Sequence, residues 1–154
     1  MAFYGDPDEL DRLAVRISAS AEDARAHAHA LSWRCMAVDW ASMAADRFRG
    51  TIEGEVAALR RAADELDEAA HMLRRHAESV RERIAQIRAA EDAVTGWFGD
   101  QARYLARAAV GAVSRMTHDP PWTHWPWTPH NLPPPGDKQW LEVGEFLRRQ
   151  GVLW

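Results

Sequence analysis

Ala45, Ile52, Leu59, Leu66, Leu73, Val80 and Ile87 recur every seven residues without a miss. A companion row runs beside them: Val56, Ala63, Ala70, Ala77 and Ile84. Such spacing places apolar side chains along one seam of a helix and is incompatible with a strand, whose side chains alternate with a period of two. The remaining positions carry Arg60, Arg61, Asp64, Glu65, Asp67, Glu68, Arg74, Arg75, Glu78, Arg81 and Glu82, a mixed-charge, solvated face. A second, shorter pattern precedes it. Leu10, Ile17, Ala24 and Leu31 are seven apart, with Ala14, Ala21 and Ala28 as the companion row.

The start signals agree with these rows. Asp6 can cap a helix, Pro7 fits the first helical position, where no N–H is needed, and Glu9 completes a capping box. The pattern falters over Trp33–Ser42, where Ser42 can cap a second helix. Two helices joined by a short elbow pack as antiparallel neighbours. The expectation is an all-α protein: a long antiparallel hairpin of helices at about 7–34 and 43–92, within a domain over 1–95. Alanine in one row and larger residues in the other lets the two backbones approach closely. A two-helix hairpin cannot cover both flanks of so long a seam, so either the rest of the chain or a partner must do so.

The rest of the chain changes character. Gly96 and Gly99 suggest a break, after which Asp100 can cap a third helix within 96–117, carrying Leu105, Ala109, Val113 and Met116. Residues 118–137 hold seven of the eight prolines and three tryptophans, so 118–136 reads as an extended, largely polyproline-like segment. Asp137 then caps a short amphipathic helix within 137–154, with Gly151 as its stop. Trp122, Trp125, Trp127, Trp140 and Trp154 are too much apolar surface to leave in water, so this tail either wraps back over its own chain or recognises something else. Pro126 and Pro129 fit a PxxP segment, but the hairpin's need for cover favours wrapping.

Composition narrows function by exclusion. The net charge of −4 argues against nucleic acid binding through phosphate neutralisation. One cysteine, Cys35, allows no internal disulfide framework and reads as a small buried apolar residue. His27 and His29 are two apart and His71 and His76 five apart, which is poor spacing for a shared ion on a helix, and no metal or cofactor is expected. There is no Gly-rich phosphate loop, nucleophile elbow or HExxH, so no catalytic residue is assigned and the chain reads as non-enzymatic. No stretch approaches the roughly 20 apolar residues of a membrane span. MAFYGDPDEL has no apolar core of the signal-peptide kind, so no cleavable leader is expected.

Two helices of this length, Trp40 at their elbow, and a second helix reading AADRFRGTIEGEVAALRRAADELDEAA resemble the WXG-motif helical hairpins of type VII (ESX) secretion over about residues 6–95. VTGWF at 94–98 also resembles the tail of some members. That resemblance implies homodimers or heterodimers forming four-helix bundles, with another WXG-like protein or the N-terminal module of a toxin as partner. It also implies a cytoplasmic protein, or one exported without a cleavable leader. Trp40, Ala41 and Ser42 stand at the turn motif, with serine in place of the family's glycine, and Phe48, Leu59, Leu66 and Leu73 fall on the partner face. The family's Tyr-x-x-x-Asp/Glu export signal is missing after the hairpin: Tyr104 is followed four residues later by Ala108, and Trp97 by Gln101. Tyr4 and Asp8 have the right spacing but precede the first helix.

Trp40 reads as a wedge facing a partner's groove or, almost equally, as a plug for the bundle end, and Trp33 as cover for the seam beside Leu31. Two rival functions follow from the tail. In one, its tryptophans make the chain an adaptor or chaperone for a larger toxin or enzyme. In the other, WLEVGEFLRRQGVLW lies in a membrane interface. The mixed charge counts against the latter, and membrane contact is not expected.

Overall fold

The computed structural model describes residues 5–39, 41–111 and 120–153, with 108–111 described as helical backbone only. These residues form three helices and no strand: α1 (Pro7–Met36), α2 (Met43–Gly111) and α3 (Gln139–Arg149). The chain divides into two compact units, one over Tyr4–Val80 and the other over Arg81–Trp154, the division falling inside α2.

In the first unit, α1 starts where the sequence directs. The Asp6 carboxylate accepts the Asp8 amide at 2.9 Å and Pro7 opens the first turn. Ser42 starts α2 in the same way, its hydroxyl accepting the Ala45 amide at 3.1 Å. Three side-chain bonds fix the pairing of the helices. Arg25 donates to Asp64 at 2.8 Å and pairs with Asp67 at 2.6 Å, and Arg74 donates to the Ser18 hydroxyl at 2.9 Å. The residue number falls along α2 as it rises along α1, so the two run antiparallel, with Ala21 level with Ala70. Both carboxylates push the Arg25 pKa above its ordinary value, against a small opposing effect of burial. The pair lies in solvent, so it sets register more than stability.

The most deeply buried row of this unit is the alanine row, with Ala45 and Val80 also buried at the two ends of the leucine row. Ala14, Ala21, Ala28, Ala63, Ala70 and Ala77 are all 0 % exposed, whereas Leu10, Ile17, Leu31, Ile52, Leu59, Leu66 and Leu73 are only half-buried. Methyl groups facing methyl groups bring the two backbones together, and the longer side chains then splay along the flank. The helices do not end together. Cys35 and Met36, at the end of α1, border the same cleft as Ile52, Glu53 and Val56, so the first turns of α2 run on past α1. On that overhang the Arg49 guanidinium holds the connecting segment by the Val38 carbonyl at 3.5 Å.

In the second unit, the expected end of the hairpin helix near 92 and the expected break before a separate helix at 96–117 give way to an uninterrupted α2 as far as Gly111, while 112–117 lie outside the described residues. A glycine inside a helix costs only about 1 kcal/mol relative to alanine, which packing readily overrides. At Gly96 and Gly99 a Cβ would meet nothing within 4 Å. Gly96→Ala with Gly99→Ala is therefore expected to stabilise the unit by roughly 1–2 kcal/mol in urea denaturation. A loss of stability would mean that the helix bends there.

The Pro/Trp-rich segment is a chain of tight turns and not an extended strap. Its i→i+3 bonds run from the amides of Thr123, Trp125, Asn131 and Asp137 to the carbonyls of Pro120, Trp122, Thr128 and Pro134. Proline lacks an N–H but keeps its carbonyl, so it serves as the acceptor while other residues donate. Pro135-Gly136 occupies the centre of the last turn, where Gly136 takes φ +75°, the left-handed value that this turn type reserves for glycine. α3 follows, its first amide accepted by the Asp137 carboxylate at 2.8 Å. It ends in a Schellman motif: Gly151 has φ +73°, its amide reaches the Arg148 carbonyl, and the Val152 amide reaches Leu147.

Candidate pairing interface

The sequence places a partner face on Phe48, Leu59, Leu66 and Leu73, and the structure leaves all four incompletely covered. Leu59, Leu66 and Leu73 are half-buried and Phe48 is 47 % exposed. Their row owes this to the close alanine contact, which consumes the inner face of each helix and leaves the flank open. Ala41 and Ser42 are exposed at the start of α2. Trp40 lies outside the described residues.

Sequence reasoning missed the apolar character of the elbow end. Trp33, Met36, Val38 and Met43 are all exposed there, beside a cleft of about 460 Å³ lined by Ser32, Cys35, Met36, Ile52, Val56 and Arg60 among others. Trp33 does not cover the seam: it is 65 % exposed. Two residues after Leu31 on a helix is about 200° around the axis, which turns the indole away from that row. Cys35 is half-buried and borders the cleft, where full burial was expected, because α2 overhangs α1 at this level. The available signal was the crowding of large apolar residues at 33–48 that belong to neither heptad row.

The tail tryptophans are placed differently. Trp140 is 2 % exposed and its Nε1–H donates to the Pro134 carbonyl at 2.8 Å. Trp122, Trp125 and Trp127 are half-buried, and Trp154 lies outside the described residues. Trp125 stacks on Trp97 of α2 with centroids 5.5 Å apart, while Trp122 meets Trp97 and Phe98 edge-on, and Phe146 of α3 meets Trp125. α3 lays Trp140, Val143 and Leu147 into a core with Ile87, Val94 and Phe98 of α2. At Gly144 an added Cβ would sit 3.3 Å from the Ala90 Cβ, so the helices approach as closely there as a small residue permits. The Glu91 carboxylate accepts the Gly136 amide at 3.0 Å and clasps the turn to α2.

Among the described residues, no group of three or more His, Cys, Asp or Glu side chains is placed to share a metal ion. His27 turns its Nδ1 to the Asp23 carbonyl of its own helix at 2.7 Å. Among the same residues, no helix is long and apolar enough to cross a membrane. The chain matches no protein family, no curated protein and no solved structure.

Proposed function

We propose that the protein is a non-enzymatic helical interaction protein of the type VII (ESX) secretion class, whose hairpin pairs with a second hairpin along its leucine flank. It acts there as a dimer partner, targeting factor or secreted substrate. One observation carries the reading. The alanine row is fully buried, while seven larger residues on the same two helices, Leu10, Ile17, Leu31, Ile52, Leu59, Leu66 and Leu73, stay half in water. A flank of that length is too apolar for a purely solvated face, and a second helical pair covers it as a four-helix bundle. Trp40 stands at the elbow in the sequence, with Ala41 and the Ser42 cap beside it.

Two features weigh against the rival functions. Trp140 is buried and Trp125 stacks on Trp97, which ties these two indoles to the chain and weighs against an adaptor arm built on them. The same burial occupies the apolar face of α3, which a membrane-interface helix would need to keep free.

The test is the double substitution Leu59→Asp with Leu66→Asp. It should abolish association in sedimentation velocity while helical circular dichroism changes little, since the alanine row still holds the hairpin. Unchanged association would place the partner face elsewhere.

A further inference from the structure

The hairpin has two unlike flanks. One residue after Ile52, Leu59, Leu66 and Leu73 stand Glu53, Arg60, Asp67 and Arg74, and one after Ile17, Ala24 and Leu31 stand Ser18, Arg25 and Ser32. A step of one residue turns about 100° around a helix, which carries these residues across the alanine contact to the flank opposite the leucines. There the two helices meet in polar rungs, Arg74 on Ser18 and Arg25 on Asp67 and Asp64. Ser32 and Arg60 repeat the residue types of the Ser18–Arg74 rung two heptads further on, and the same register sets them level. That rung is not closed. The cleft of about 460 Å³ opens there instead, with Cys35, Met36, Ile52, Val56 and Ala57 as its apolar lining.

Two charges border this lining without a counter-ion among the described residues, Arg60 and Glu53. Asp64, the carboxylate one turn beyond Arg60, is held by Arg25 at 2.8 Å. Arg49, the cation one turn before Glu53, is held by Asp46 at 3.1 Å and by the Val38 carbonyl. Arg60 and Glu53 lie one heptad apart on one face of α2, roughly 10 Å along its axis.

We propose that this cleft docks a single helix of another protein, one that carries a carboxylate and a cation a heptad apart with a large apolar residue between them. A groove between two helices accepts a third along its length. The incoming carboxylate takes the Arg60 guanidinium and the Ser32 hydroxyl, the incoming cation takes Glu53, and the apolar residue covers Cys35, Ile52 and Ala57. The helix thereby continues the polar rungs of this flank, which α1 and α2 complete between themselves nearer the middle of the hairpin. A chain paired along its leucines keeps the cleft open, because the two surfaces lie on opposite flanks.

The probes are short alanine-based helical peptides in which a leucine is flanked, at heptad spacing, by Glu and Lys, by two Glu or by two Lys. Each is titrated into the isotope-labelled full chain and followed by amide shifts in NMR. The Glu/Lys peptide should give saturable shifts centred on Ser32, Cys35, Ala57 and Arg60. It should bind about fivefold tighter than either like-charged peptide, the ratio expected when one exposed attraction becomes a repulsion. Glu53→Lys, at an exposed position, should reverse the order and make the peptide with two Glu the tightest. Leu59→Asp with Leu66→Asp should leave the Glu/Lys peptide bound.

Absence of a saturable shift, equal affinity for the three peptides, or an order unchanged by Glu53→Lys overturns the site. Loss of the peptide in Leu59→Asp with Leu66→Asp also overturns it, since the peptide would then lie on the leucine flank. A chain that never pairs along its leucines yet keeps this charge selectivity retains the site and loses only the proposed function.

Discussion

Ala70→Leu is expected to cost the hairpin more than Leu66→Ala does. Ala70 is 0 % exposed and level with Ala21, also 0 % exposed, so three added carbons have nowhere to go except between two backbones. Overpacking of this kind costs about 1–3 kcal/mol, and more where the whole helix must move to relieve it. Leu66 is half-buried, so its truncation in an isolated chain loses only part of the roughly 2–5 kcal/mol that a core leucine commands. Urea denaturation of the two single variants at low protein concentration gives the comparison. If Leu66→Ala proved the more damaging at that concentration, the hairpin would be held by its leucines and the flank would not be open.

Trp140→Ala is expected to lose about 3–5 kcal/mol from the second unit, the range for removing a large buried aromatic. The indole is 2 % exposed and joins α3 to the turn at Pro134 through its Nε1–H. Its loss should also undo the aromatic cluster, so near-ultraviolet dichroism from Trp97, Trp122 and Trp125 should collapse while most far-ultraviolet helix signal remains. Trp140→Phe separates the two contributions. It keeps most of the burial and gives up the bond to the Pro134 carbonyl, at a cost of about 1 kcal/mol beyond the volume change. Near-ultraviolet dichroism unchanged in Trp140→Ala would mean that the aromatic cluster stands without α3.

The heptad rows, the caps at Asp6 and Ser42 and the stop at Gly151 were legible because each rests on local chemistry: spacing, a side-chain oxygen, a glycine able to take positive φ. The relative burial of the two rows was not. Periodicity marks which residues share a seam, but the distance between helices is set by the smallest residues on it, and here these are alanines. Gly96 and Gly99 misled for a related reason. A propensity cost of about 1 kcal/mol each is small beside the burial of Val94 and Phe98 on the same stretch of helix. Prolines at 120–135 correctly excluded a helix, yet the turns that form there depend on donors placed between the prolines, and no periodicity announces them. Trp33 was misplaced against helical geometry that the sequence did carry, its position two residues after Leu31, whereas Cys35 was misplaced because the overhang of α2 past α1 is a property of register, fixed by Arg25 with Asp64 and Asp67 across the pair.

The open leucine flank is tested most directly by the absolute mass of the purified chain in light scattering, alone and after co-expression with the products of its neighbouring genes. A stable dimer, or a one-to-one complex formed only with such a neighbour, is the expected result. A chain that stays monomeric at high concentration and captures no neighbour would contradict the pairing function, since Leu59, Leu66 and Leu73 would then be half in water with nothing to cover them.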